Sequence, residues 1–194
     1  GRVGLRVLGA GSGCWVGWSW RAWQGLGALR GVCDFVNGGS APQGPDNWDV
    51  GVRLAMPCDL ARVNGGRIGE RQRTLTAQGR RTGSAQVPAG SLVVSTRAPI
   101  GYVAETTAPT AFNQGCRGLV ARAALDIRYF RYQLLGSADQ LQALGQGSTF
   151  VELSTDGLAA FPVVVPPLSA QPAIAAYLDA GTARIERPPK WDGP

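Results

Sequence analysis

The chain has 194 residues, 44% hydrophobic and 16% charged, with 19 Lys and Arg against 13 Asp and Glu for a formal net charge of +6. That length suits one domain with an appended helix, and a globule of this size hides about 70% of the surface its unfolded chain exposes, so it needs no disulfide or metal staple. The chain contains no histidine, which excludes Ser-His-Asp and Cys-His nucleophiles, HExxH zinc sites and imidazole general bases within it.

Residues 1–25 are rich in Gly and Trp, with Trp15, Trp18, Trp20 and Trp23 in no steady helical or strand period. Leu8-Gly9-Ala10-Gly11-Ser12-Gly13 has the outline of an S-adenosylmethionine-binding glycine loop. Such a loop must open a helix, and Cys14-Trp15-Val16-Gly17-Trp18 is a poor helix start. Neither Asn-Pro-Pro-Tyr nor Asp-Pro-Pro-Tyr follows later, so the loop is rejected as a methyltransferase site. The run also lacks the continuous apolar block of a signal peptide, and nothing approaches 18 uninterrupted apolar residues, so the expected location is cytoplasmic, away from any membrane.

A strand is predicted over residues 29–36, closed by the turn Asn37-Gly38-Gly39, and residues 40–50 are turn-rich. Residues 91–96 read as a buried strand, followed by a loop at Ala98-Pro99-Ile100-Gly101 and by short strands at 101–104 and 117–120. Asp126 caps a helix reaching Leu135, with Ile127, Phe130 and Leu134 on one face, and a second helix follows Ser137. A short capped helix spans 154–160 and an apolar strand spans 161–165. Ser169 caps a last helix through Ile174, Tyr177, Leu178 and Ile185, with Pro172 in its first turn and Pro188-Pro189 at its end. The order implies an irregular α+β (mixed α/β) globule of short strands and helices with a helix trailing from it. Its organisation is expected to be an atypical segment at 1–25, a domain at 26–168, a helix at 169–187 and a tail at 188–194.

Cys14, Cys33, Cys58 and Cys116 form no CxxC pair, and buried free thiols in a reducing cytosol are expected rather than zinc. Of the 19 basic residues, 18 are Arg and one is Lys190. That disposes of a P-loop, a Schiff-base lysine and a PD…(D/E)xK nuclease site. The charge is also unevenly distributed. Residues 1–52 hold four Arg against three acids, and residues 98–194 hold seven basic residues against eight acids. Residues 53–97 hold eight Arg against two acids, so the whole excess lies there. Such a concentration fits a polyanion partner, and a solvated basic face is the alternative. Asn64, Gln72 and Gln78 among these arginines are side chains able to read base edges.

Several strings then occur in order: Phe35-Val36-Asn37-Gly38-Gly39, Pro88-Ala89-Gly90-Ser91, Ser95-Thr96-Arg97-Ala98-Pro99-Ile100-Gly101 and Phe112-Asn113-Gln114-Gly115. Gly147-Ser148-Thr149-Phe150, the apolar run 162–168 and Ile174-Ala175-Ala176-Tyr177-Leu178-Asp179 follow. Over residues 29–187 the chain resembles the target-recognition domain of a type I restriction–modification DNA specificity subunit. The resemblance implies a non-catalytic reader of one half of a bipartite duplex sequence, without a cofactor of its own. Methylation and cleavage would be carried by partner methyltransferase and restriction/translocase subunits.

Family members read different sequences, so shared motifs cannot distinguish bases. Thr96, Arg97, Asn113, Gln114, Arg117, Ser148 and Thr149 are therefore assigned to scaffold or phosphate contacts. For Asn113 and Gln114 the alternative is a buried amide pair bracing loops, and for Arg97 it is pairing with a carboxylate. The base-reading pool lies at residues 52–86 and comprises Arg53, Arg62, Asn64, Arg67, Arg71, Arg73, Arg80 and Arg81. Trp48 is expected to anchor a loop or core rather than stack on a base, because duplex DNA offers no free base face.

The resemblance implies two recognition domains joined by long helices. This chain holds one such domain, with a helix ending near Arg187, and departs from the family pattern at residues 52–60. A truncated or single-domain form is therefore expected, able to pair with a second half-subunit; the alternative is an assembly-only fragment that pairs with a methyltransferase subunit or another half-subunit without reading DNA alone.

Overall fold

The computed structural model describes residues 25–40, 43–69, 73–81, 85–122, 125–147 and 151–185. In chain order the elements are β1 (Leu26–Ala28), β2 (Cys33–Asn37), β3 (Trp48–Ala55), α1 (Pro57–Val63), β4 (Arg67–Ile68), β5 (Arg73–Leu75) and α2 (Ala77–Arg81). They continue with β6 (Gln86–Val87), β7 (Leu92–Ser95), β8 (Val103–Thr106), β9 (Thr110–Phe112), β10 (Cys116–Ala121), α3 (Ile127–Leu135), α4 (Ala138–Ala143), α5 (Thr155–Ala160), β11 (Pro162–Val164) and α6 (Gln171–Ile185). The mixed α+β class expected from the sequence is the one observed.

Three sheets organise these elements. A five-stranded sheet has the order β2-β10-β7-β8-β4, a four-stranded sheet has the order β5-β3-β9-β6, and β1 pairs with β11. Strand β7 explains why its sequence is a continuous apolar run: all four of its residues are buried, so both its faces are covered. Leu92 and Val94 point into one core with Leu119, Phe130, Leu134, Leu153 and Leu158. Val93 points the other way, into a second core with Val87, Phe112, Leu60 and Ala55. Gly118 sits where the two larger sheets meet. A Cβ there would fall 2.5 Å from Val87 and 2.7 Å from Phe112, so only glycine permits the approach.

The helical half follows the sequence closely. Asp126 caps α3 by accepting the Arg128 N–H at 3.0 Å, and Ser154 caps α5 by accepting the Gly157 N–H at 3.0 Å. The last helix differs at its start. Residues 168–170 form a turn, and the Ala170 carbonyl accepts the Ile174 N–H, so the first helical residue is Gln171. The buried Gln171 side chain donates to Pro166 O at 3.0 Å and accepts from Asp126 N at 2.9 Å, tying the starts of α3 and α6 together. The strand expected at 29–36 is shorter as well. Leu29 lies in a 3-10 turn, where its N–H bonds Phe161 O, and pairing with β10 begins at Cys33.

Cys33 and Cys116 are buried free thiols, pushed up to about 11 and about 12 respectively, chiefly by burial. Both stay protonated at neutral pH and are inert as nucleophiles. Cys58 corrects the expectation for this group, because the second position of α1 leaves it exposed. Cys14 and the glycine loop at 8–13 lie outside the described residues.

Candidate nucleic-acid interface

The basic segment folds as short elements that include the edge strands β4 and β5 of the two larger sheets. Pro57 starts α1 where its missing N–H costs nothing, and the Asp59 carboxylate accepts the Met56 N–H at 3.0 Å to close that end. The helix ends at Asn64, whose Oδ1 accepts the Val103 N–H at 3.3 Å. That bond uses the side chain's acceptor and leaves its amide N–H₂ in solvent. Strand β4 then pairs in parallel with β8, and β5 pairs antiparallel with β3. Helix α2 packs on β3, β5 and the turn at Pro45–Asn47. Thr76 holds it there by donating to Asp46 O and Asn47 O through its hydroxyl and N–H respectively.

Of the described arginines of this segment, all but the half-buried Arg53 are exposed. Arg62 is 75% exposed and reaches Asp59 only at 3.5 Å, and Arg67 is 62% exposed and lies 3.6 Å from Glu105. Arg80 is exposed and donates to the neutral Gln86 Oε1 at 3.2 Å. Arg73 and Arg81 are exposed and Arg53 is half-buried; none of the three forms an ion pair among the described side chains, which do not include that of Asp49. The Arg73 guanidinium lies over the Trp48 ring, 3.8 Å from its centroid. Arg71 and Gln72, along with Ser148 and Thr149, lie outside the described residues.

The shared-motif residues are placed differently. Thr96 is fully buried, at the end of β7, so its side chain reaches no solvent. Arg97 donates to Glu152 Oε2 at 3.1 Å, which is the carboxylate alternative rather than a free phosphate grip. Arg117, whose side chain is 13% exposed, approaches Glu152 Oε1 at 3.5 Å and donates to Thr155 Oγ1 at 2.9 Å and to the Gln114 and Cys116 carbonyls. Asn113 Oδ1 accepts the Gly115 N–H at 3.1 Å, and the exposed Gln114 accepts from Ser40 Oγ at 2.9 Å. These residues brace β2, β7 and β10 against the 151–155 segment. Glu152, the acceptor common to two arginines, was not visible in the sequence, because its partners lie 55 and 35 residues away.

A second arginine cluster joins the basic segment to the trailing helix. Arg131 is almost fully buried and donates to Glu105 Oε2 at 3.2 Å and Asp179 Oδ1 at 3.1 Å. Asp179 also accepts from Tyr132 Oη at 2.7 Å and from Arg128 at 3.2 Å. Arg128 is bidentate to Asp126, whose carboxyl is held below its ordinary range first by that hydrogen bond. Among the described residues no three Cys, Asp or Glu side chains are grouped as a metal would require, and no helix is long and apolar enough to cross a membrane.

The described arginines therefore fall into two sets: those from Arg97 to Arg131 are ion-paired with Asp34, Glu105, Asp126, Glu152 and Asp179, and most of those from Arg53 to Arg81 are exposed. The family model described as type I restriction modification DNA specificity domain matches residues 23–188, and the chain belongs to that family. It is 29% identical over 160 residues to the type I restriction enzyme MjaIX specificity subunit of Methanocaldococcus jannaschii, an alignment covering 80% of this chain and 37% of that protein. Its fold is similar to a structure from a study of assembly and conformational transition in the type I R-M system (TM-score 0.66, 22% identity, 81% of this chain and 38% of that one). It is also similar to the HsdS subunit of Thermoanaerobacter tengcongensis (TM-score 0.63, 22% identity, 81% and 37%). The chain thus spans less than half the length of the relatives it matches.

Proposed function

We propose that this chain is a non-catalytic reader of duplex DNA, contributing recognition of one half of a bipartite target in a type I restriction–modification system. The observation that carries the reading is the outward set of arginines on residues 53–81, presented by a fold of the specificity family. Each such side chain that meets a phosphate releases condensed counterions, and those that reach the major groove can read guanine edges. Asn64, with its amide N–H₂ free, is suited to a base or phosphate acceptor. Arg97 and Arg117, which share Glu152, and Asn113 and Gln114, which accept from Gly115 N–H and Ser40 Oγ, are assigned to bracing the fold rather than to reading bases. The methyltransferase and restriction/translocase activities would belong to partner subunits, engaged through the trailing α6 or with a second half-subunit. A cytoplasmic location follows from that assignment.

The test is selection of the full chain against a randomised duplex pool at about 150 mM salt, followed by sequencing. Enrichment of a short motif supports the reader. Binding without enrichment reduces the segment to a basic surface. No binding, with retention on a methyltransferase subunit, supports the assembly-only role.

A further inference from the structure

We propose that Trp48 is a positioning residue for DNA readout, holding the Arg73 guanidinium in one plane so that its N–H edge is aimed at a pair of acceptors on the duplex. The proposal rests on the DNA-reading function above and names the residue pair that would make part of it. The chemistry it requires is two in-plane acceptor atoms, supplied either by the O6 and N7 edge of a guanine or by two oxygens of a phosphate.

The arrangement is built by the β3–β5 ladder. Leu54 pairs with Arg73, and both Val52 and Trp48 pair with Leu75, so the chain between Trp48 and Val52 bulges out. Gly51 makes the bulge feasible, since a Cβ there would fall 2.1 Å from Leu75 O. The bulge returns Trp48 to the face that carries Leu75 and Arg73, two residues apart on β5. There the half-buried indole is rooted beside Leu54, Leu75, Ala111 and Val52. Arg73 sits on the edge strand of the four-stranded sheet and is exposed, with its guanidinium carbon 3.8 Å from the ring centroid.

Stacking covers one face of the guanidinium and uses none of its N–H donors, which lie in the plane and point outward. Among the described side chains, which do not include those of Asp49 and Glu70, no carboxylate pairs with that fork. An arginine side chain free in solvent must lose rotamer freedom on binding, and an arginine already stacked has lost part of it. Arg62 and Arg67, by contrast, lean towards carboxylates and must exchange them for DNA. A purely structural role for the pair, the arginine stem shielding the indole from water, predicts a contribution to folding alone.

The test measures binding of the wild-type chain, W48L, W48F, R73A, R73K and the W48L/R73A double variant to the duplex enriched by the wild type, across a salt series and by repeated selection. Arg73→Ala weakens binding about tenfold or more. Trp48→Leu weakens it about threefold, a size expected for loss of a solvent-facing cation–π contact. Trp48→Phe, which keeps a ring, retains most of the affinity and covers the case in which W48L does not fold. R73K, which keeps the charge but not the planar fork, fails to restore wild-type binding. The double variant binds no worse than R73A, because the indole acts only through the arginine.

If the fork meets guanine, R73A loses one G from the selected motif; if it meets phosphate, the motif persists and the salt slope becomes shallower by about one. The positioning role is overturned if R73A leaves affinity, motif and slope unchanged, or if W48L costs as much in the R73A background as in the wild type. Failure of the wild type to bind any duplex overturns the underlying function instead, and that result is read before any variant is made.

Discussion

The arginines of residues 53–81 and those of residues 97–131 are the same side chain put to opposite uses. In the later group every arginine is ion-paired: Arg97 and Arg117 share Glu152, Arg122 meets Asp34 at 2.7 Å, and Arg128 and Arg131 converge on Asp179. In the earlier group Arg62 and Arg67 meet carboxylates at 3.5 and 3.6 Å but remain 75% and 62% exposed, Arg80 meets a neutral amide, Arg73 an aromatic ring, and Arg81 is exposed with no ion pair among the described side chains. The difference separates charge that holds the fold from charge available to a ligand. It also locates the chain's basicity, since the eight basic residues from Arg97 onward are matched by eight acids, whereas residues 53–81 hold seven Arg against two acids.

The comparison breaks most visibly at Arg131. Replacing it with Ala strips a buried cation from Glu105 and Asp179 and should destabilise the domain by about 3 kcal/mol, read by urea unfolding, because an acid cluster is left without its central partner. Glu152→Ala should cost less, about 1 kcal/mol, since Arg97 is half-exposed and Arg117 keeps its hydroxyl and carbonyl acceptors. The motif selected by that variant should match the wild type, as expected of a bracing residue. A change in the motif would move Arg97 or Arg117 into the reading set.

Asp126 sharpens the comparison through pH. Its folded carboxyl is held below the ordinary range, first by hydrogen bonding to Arg128, so its stabilisation is present above the unfolded pKa and is lost as pH falls through the folded value. The melting-temperature gap between wild type and D126A should therefore be constant above about pH 5 and narrow in more acidic buffer. The smallest stability effects belong to the outward group. Arg62→Ala, Arg80→Ala and Arg81→Ala should each change unfolding free energy by less than about 0.5 kcal/mol, while duplex binding weakens.

The sequence revealed the two halves unequally for physical reasons. From residue 91 onward the apolar runs are long enough to show a period, and Asp126 and Ser154 are side chains whose capping bonds are local. Most of those strands and helices were therefore legible; the exceptions are β9 at Thr110–Phe112, which was not foreseen, the strand expected at 101–104, which runs over 103–106, and the start of α6, where the buried Gln171 rather than Ser169 organises the turn. Between Arg53 and Val87 the chain makes α1, β4, β5, α2 and β6, and arginines and glycines interrupt their apolar positions, so no continuous apolar run marks them in the sequence. The basic surface was legible there as composition, but its partners were not. Glu105, Glu152 and Trp48 reach their arginines across the fold, and nothing in their own sequence neighbourhoods marks them. Trp48 was expected to anchor a loop, and its place beside Leu54 and Leu75 agrees with that; the arginine stacked upon it was unforeseen.

The central claim is that the outward arginines, and not the paired ones, meet DNA. The most direct measurement is the salt dependence of binding to the enriched duplex for the wild type and for the R62A/R80A/R81A variant. The account predicts a folded variant whose log–log salt slope is shallower by at least about one, with weaker binding at every salt concentration. A folded variant with unchanged slope and affinity would contradict it and place the DNA elsewhere on the molecule.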